Sequence, residues 1–143
     1  MIRRLDHIAV AVPDLERAIA RFSEDLGLTL AGREVVPTEK TATAFLPIEG
    51  TRIELVSPAD GRGSEGEGPL AKFLASRGGG LHHLCFETDD IEADVAMLKA
   101  KGWQFLGESP KPGAHGTRIL FAHPRSCEGV LVELAQMPKE HAE

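Results

Sequence analysis

Leu5-Asp6-His7-Ile8-Ala9-Val10-Ala11-Val12-Pro13-Asp14-Leu15 is matched without a gap by Leu81-His82-His83-Leu84-Cys85-Phe86-Glu87-Thr88-Asp89-Asp90-Ile91, an offset of 76 residues. Each stretch runs from β-branched or apolar residues into an aspartate that can cap a helix by accepting a backbone N–H. Helical spacing follows in both copies. Leu15, Ala18, Ile19, Phe22 and Leu26 lie on one face before Gly27, and Ile91, Val95 and Leu98 before Gly102. The first helix is predicted over 14–26. At the far end of each copy, Gly50-Thr51-Arg52-Ile53-Glu54-Leu55 resembles Gly129-Val130-Leu131-Val132-Glu133-Leu134, at an offset of 79.

A repeat of this length is too long for a solenoid unit and fits a duplicated strand, helix and three-strand module. Strands at 28–36, 41–46 and 51–56 complete the first module, and strands at 104–106, 117–121 and 130–135 the second. The expected fold is therefore α+β, two tandem βαβββ modules with about eight strands in a mixed sheet and helices on its outer face. One domain of 1–143 is expected: module one over 1–58, a glycine-rich loop and short helix over 59–79, and module two over 80–137.

The 143 residues are 42% hydrophobic and 27% charged, which is globular usage and not that of a disordered chain. Sixteen basic residues against 22 acidic ones leave a net charge of −6. That charge offers no overall field for a nucleic-acid backbone or an anionic membrane. The expectation is no nucleic acid and no membrane. Cys85 and Cys127 are too few for a disulfide scaffold and lack metal-finger spacing, which fits a reducing, cytoplasmic setting. No stretch reads as a secretory leader or a membrane span.

Strand alternation puts His7 on one face with Leu5, Ala9 and Ala11, and His83 with Leu81, Cys85 and Glu87. Glu54 and Glu133 each sit between two apolar residues that face the other way. A lone strand histidine is more often a packed, hydrogen-bonded residue, but here histidine and glutamate recur at equivalent inward positions. Ionised groups on an inner sheet face are costly unless paired or ligated. His7, Glu54, His83 and Glu133 are therefore the candidate ligands of one divalent ion, Co, Mn, Ni or Zn. Four protein ligands on an octahedral ion leave two positions open, which points to catalysis. His82 faces the opposite way, as a structural or surface residue.

This duplicated layout resembles the vicinal oxygen chelate, or glyoxalase-like, superfamily over nearly the whole chain. Residues 80–91, Gly113-Ala114-His115-Gly116, Phe121-Ala122-His123-Pro124 and 129–134 most resemble its methylmalonyl-CoA epimerases, and Pro69-Leu70-Ala71-Lys72-Phe73-Leu74 is a weaker match. The resemblance implies a cupped sheet around the metal, a homodimer and an acyl-CoA substrate. It also implies α-proton removal and return through a metal-stabilised enolate. Glu133 would then act as both ligand and base. Where those enzymes carry a second glutamate in a Pro-Glu-Gln-Gly or Pro-Glu-His-Gly tract, this chain reads Pro37-Thr38-Glu39-Lys40. Thr38, at the base position, cannot accept a proton at neutral pH. Glu39 is the alternative base, and in a strand it would point to the wrong face, so it serves only if the local loop turns it inward. Otherwise Glu39 and Lys40 form an exposed charged turn.

His115 and Thr117, on a turn of small residues and backbone N–H groups, are the candidate substrate contacts. Arg62, Lys72, Lys111, Arg118 and Arg125 are available to offset the CoA phosphates. Two other activities fit the same resemblance. One is a glyoxalase I type lactoylglutathione lyase, which uses the same ligand set, and the other is a non-catalytic protein that holds a small molecule in the same cup.

Overall fold

Two parallel strand pairs, built to the same register, organise the chain. In the first module Ile8, Ala9, Val10 and Ala11 of β1 (Ile2–Ala11) lie opposite Ile53, Glu54, Leu55 and Val56 of β4 (Thr51–Pro58). In the second, Leu84, Cys85, Phe86 and Glu87 of β5 (Gly80–Thr88) lie opposite Val132, Glu133, Leu134 and Ala135 of β8 (Val132–Gln136). Ala9 with Glu54 thus corresponds to Cys85 with Glu133, as the sequence offsets require. The computed structural model describes residues 1–139. The last four residues of the expected 1–143 span lie outside the described residues.

Contacts divide the chain into two units, His7–His82, and Met1–Asp6 together with the chain from His83 onward. In the His7–His82 unit, β2 (Gly32–Val36) pairs antiparallel with β3 (Thr41–Ile48), and β3 antiparallel with β4. The strand order is β2-β3-β4-β1. Asp14 caps α1 (Leu15–Ala20), its carboxylate accepting the Arg17 N–H at 3.0 Å, and π-helical turns carry the helix through Asp25. Gly27, at φ 80°, stops it. Ile19 of α1 packs on Ala44, Leu46 and Leu55, with Val10, Val12 and Phe22 against them. This is the large-residue side of β1, as expected. The linker helix α2 (Pro69–Arg77) takes the other side, its Leu70 and Leu74 packing on Ala11 and Val56. Ala11 and Val56 alternate in phase with His7 and Glu54, so α2 closes one end of the face that carries those two residues.

In the other unit, β7 (Arg118–Ala122) joins β8 antiparallel, with β6 (Lys111–Pro112) at its outer edge, in the order β5-β8-β7-β6. Asp90 caps α3 (Ile91–Ala100) by accepting the Ala93 N–H, and Ile91 and Val95 pack on Leu120, Ala122, Val132 and Leu134. The first residues of β1 belong here, where Arg4 reaches Glu87 at 3.0 Å. Among the described residues no helix is long and apolar enough to cross a membrane.

Two strand expectations are shortened. Leu28 donates its N–H to the Phe22 carbonyl of the preceding helical turn, so the ladder predicted from residue 28 begins only at Gly32. The strand predicted at 104–106 is a single bridge from Phe105 to Ala122. Gly107, at φ 142°, breaks the extended run there, and pairing on that edge resumes at Lys111–Pro112.

Candidate functional site

Each unit holds one histidine–glutamate pair, and the strand register accounts for both. His7 stands two residues before Ala9, which faces Glu54, and its Nδ1 lies 3.1 Å from Glu54 Oε2. His83 stands two residues before Cys85, which faces Glu133, and its Nε2 lies 3.1 Å from Glu133 Oε1. The side chains are 9% and 12% exposed in the first pair and 10% and 8% in the second. A carboxylate this deeply buried costs several kcal/mol unless an opposite charge, a strong donor or a cation meets it. Imidazole and carboxylate are donor types that a zinc, manganese, cobalt or nickel ion takes, and each unit brings one of each.

The aromatic partner of each pair escaped the sequence reading. Phe45 faces Glu54 across β3 and β4, and Phe121 faces Glu133 across β7 and β8. These phenylalanines are also 76 residues apart, so the repeat that revealed the histidines could have found them. The Phe121 ring meets the His83 imidazole edge-on, centroids 5.2 Å apart with planes at 90°. Packing of that kind locks an imidazole's orientation and excludes water from its edge. The first pair has a cation that the second lacks at the matching place. Arg52 Nε lies 2.7 Å and Nη2 2.6 Å from Glu54 Oε2, and Nη2 is 3.4 Å from His7 Nδ1.

The other predicted residues sit on turns. Pro37–Glu39 form a single 3₁₀ turn, with Lys40 left-handed at φ 53° and both Thr38 and Glu39 exposed. This turn is tied to the glycine-rich loop. Lys40 accepts the Ala59 N–H at 2.9 Å, and its ammonium pairs with Glu67 at 3.0 Å. Within that loop, Asp60 accepts the N–H groups of Arg62 and Glu67, which holds its carboxyl below the usual value of 3.8. A lowered folded pKa favours the ionised form, so this tie is complete above pH 3.8 and is lost only as pH falls through the folded value. His115 is exposed and left-handed at φ 57°, while Thr117 is buried and donates its hydroxyl to the Ala114 carbonyl at 2.7 Å. His82 packs edge-on against Phe73 of α2, centroids 4.9 Å apart, a packing contact where the sequence left a structural and a surface role open.

Gly113 is what allows that turn to fold. A Cβ there would lie 2.6 Å from Thr117 Oγ1 and 2.8 Å from Ile119 Cγ2, and neither atom belongs to a long flexible chain. Gly113→Ala is expected to cost about 1–3 kcal/mol, the usual penalty of overpacking, read as a lower urea midpoint at unchanged slope. An unshifted midpoint would show that the turn yields freely.

Comparison with known proteins agrees with this architecture. The profile of the Glyoxalase/Bleomycin resistance protein/Dioxygenase superfamily matches residues 6–121. Methylmalonyl-CoA epimerase, mitochondrial, of Homo sapiens is 43% identical over 134 residues, covering 93% of this chain and 73% of that protein. Ethylmalonyl-CoA/methylmalonyl-CoA epimerase of Cereibacter sphaeroides is 43% identical over 139 residues, covering 96% of this chain and all of that protein. The structure of Streptomyces coelicolor methylmalonyl-CoA epimerase in complex with 2-nitronate-propionyl-CoA matches with a TM-score of 0.87 and 32% identity, covering 97% of this chain and 100% of that one. With the profile spanning most of the chain, and with identity this high over nearly its whole length, the chain belongs to the methylmalonyl-CoA epimerase family of the glyoxalase superfamily.

Proposed function

We propose that this chain is a metal-dependent epimerase that interconverts the two epimers of methylmalonyl-CoA by moving the α-proton. The observation that carries the reading is the pairing of His7 with Glu54 and of His83 with Glu133 at the same strand register, in a chain of this family. One divalent ion held by His7, Glu54, His83 and Glu133 is part of the proposal. Such an ion supplies Lewis-acid stabilisation of the negative charge that builds on the thioester oxygen as the α-proton leaves.

The chain's own groups do the rest. Glu133 takes the α-proton on its carboxylate from one face, a second base delivers a proton to the opposite face of the enolate, and in the reverse direction the two exchange roles. The second base is Glu39. The alternation that would turn it away holds for a strand, whereas side chains on a 3₁₀ turn are set about 120° apart, so the residue after Thr38 is not forced to the opposite side. The contacts of Lys40 with Ala59 and Glu67 hold that turn in place. Backbone N–H groups and small residues around His115 and Thr117 form the approach for the acyl group. The chain acts as a homodimer in the cytoplasm, and a cysteine count of two, too few for a disulfide scaffold, fits a reducing setting.

Glu39→Gln is expected to slow α-proton exchange with solvent by about 10²- to 10⁴-fold, the usual contribution of a positioned base. Deuterium incorporation from heavy water, followed by mass spectrometry, reads it, and exchange at the unmodified rate removes Glu39 from the mechanism. The test of the function itself sets racemisation of methylmalonyl-CoA against isomerisation of a glutathione hemithioacetal. Turnover of the first and not the second supports the epimerase. The reverse assigns the lyase, and turnover of neither leaves a binding protein.

A further inference from the structure

The turn that carries Glu39 is the tip of the β2–β3 hairpin, and the ladder from β3 to β4 begins only after it, at Thr41. Two bonds shape the tip from within. The Lys40 N–H donates to the Pro37 carbonyl at 3.1 Å, and the Thr41 hydroxyl donates to the Glu39 carbonyl at 2.9 Å. Neither reaches outside the hairpin, so neither sets where the tip stands. The glycine-rich loop does reach it, and both ends of that loop meet the same residue. At one end the Ala59 N–H donates to the Lys40 carbonyl. At the other, Glu67 pairs with the Lys40 ammonium, and Gly68 lies against the Lys40 stem, where a Cβ would stand 3.6 Å from Lys40 Cβ.

Asp60 joins the two ends. One carboxylate oxygen accepts the Arg62 N–H at 3.0 Å and the other the Glu67 N–H at 3.2 Å. The pair of Lys40 with Glu67 is exposed on both sides and weak by itself, but the place of Glu67 is fixed by its own N–H on Asp60. Gly66 makes the room for this. A Cβ there would lie 2.5 Å from Asp60 Oδ1 and 2.9 Å from Oδ2, while its φ of −79° is open to any residue. Space for the carboxylate, not backbone freedom, is what the missing side chain supplies. A tip tied in this way matters to proton transfer, because a misplacement of about 1 Å in a reacting group can cost about 10²-fold in rate.

We propose that Asp60 is a positioning residue for epimerisation: its carboxylate closes the glycine-rich loop around Lys40 and so holds the turn that carries Glu39. The inference rests on the epimerase reading above, with Glu39 as its second base, and assigns the placement of that base to one side chain.

The two epimers present their α-protons to opposite bases, which gives a readout that a general loss of structure would not reproduce. Each epimer is supplied separately in heavy water, with deuterium uptake read by mass spectrometry and inversion by circular dichroism. Asp60→Ala is expected to slow inversion of both epimers, and deuterium uptake by the one that faces Glu39, by about 10- to 100-fold. Uptake by the epimer that faces Glu133 should persist, since Glu133 can take a proton and return a deuteron to the same face. Trypsin cleavage after Arg62, exposed on the loop, should quicken by about tenfold as the tie opens. Gly66→Ala, whose Cβ drives the carboxylate off its N–H groups, is the second variant and should act alike. The double variant should be no worse than either single, because both break one tie.

Uptake slowed equally for both epimers marks a merely structural loop and overturns the proposal. So does faster cleavage at Arg62 with inversion unchanged, and so do losses that add in the double variant. Unmodified protein that never turns over methylmalonyl-CoA, or Glu39→Gln that inverts it at the unmodified rate, overturns the reading beneath, and this inference with it. One-sided uptake in Glu39→Gln with an indifferent Asp60→Ala overturns this inference alone.

Discussion

Glu133→Gln is expected to lower kcat for epimerisation by about a thousandfold or more, the upper part of the range for loss of a positioned proton acceptor. The amide keeps the shape of the side chain and can still meet His83, so the fold has little reason to change. It loses two things together. A neutral amide is a far weaker base for the α-proton, and it brings no negative charge to a divalent ion, so cobalt affinity should fall as well. Glu54→Gln separates the two effects. It removes the same charge from the other pair without touching the proposed base, so it should weaken metal binding while retaining proton exchange once metal is saturating. Full activity in purified Glu133→Gln would remove that residue from the chemistry.

The contrast between these two glutamates shows what the sequence discloses and what it leaves hidden. The duplication was legible because strand caps and helix stops are local. Asp14 and Asp90 both cap through their side chains, and Gly27 and Gly102 both adopt positive φ. The histidines follow from one offset and the glutamates from another, because the two modules differ in loop length between the matched strands. Parallel pairing then carries each histidine to its glutamate, a long-range fact that the matching of segments implied and the register of β1 with β4 and of β5 with β8 confirms.

What was not legible depends on backbone context. Residue 39 was judged by strand alternation, yet Pro37 starts a 3₁₀ turn and Lys40 ends it in the left-handed region, so the period of two never applied there. Ladder ends at 28–31 and 104–106 were overestimated because apolar content marks burial as readily as pairing. Leu28 and Leu30 do pack into the core, but the Leu28 N–H is spent on the helix before it. Arg52 entered the sequence reading only as part of the Gly50–Leu55 repeat segment, with no role of its own. Its significance appears only once strand pairing sets it beside Glu54, His7 and Phe45.

Exhaustive chelation is expected to abolish epimerisation, and cobalt or manganese to restore it. Magnesium should restore it less well, since imidazole nitrogen suits borderline metals while magnesium prefers oxygen and water. The same treatment has a readout independent of turnover. A ligand bound only by the folded state stabilises it by about 2.7 kcal/mol at a free concentration one hundred times its Kd. For a chain of this size that corresponds to a rise in Tm of roughly 10 °C. His7→Ala and His83→Ala should each shrink the rise, because each removes one ligand of a shared ion, and neither should leave the other pair with its full effect. Two separate sites, one per unit, would give the opposite pattern: two ions per chain in metal analysis, and a half-sized thermal shift that survives either substitution. Activity that persists after the ion has been stripped to below one per hundred chains would mean that the buried glutamates are balanced by their imidazoles and Arg52 alone, and that the proton is moved without a metal.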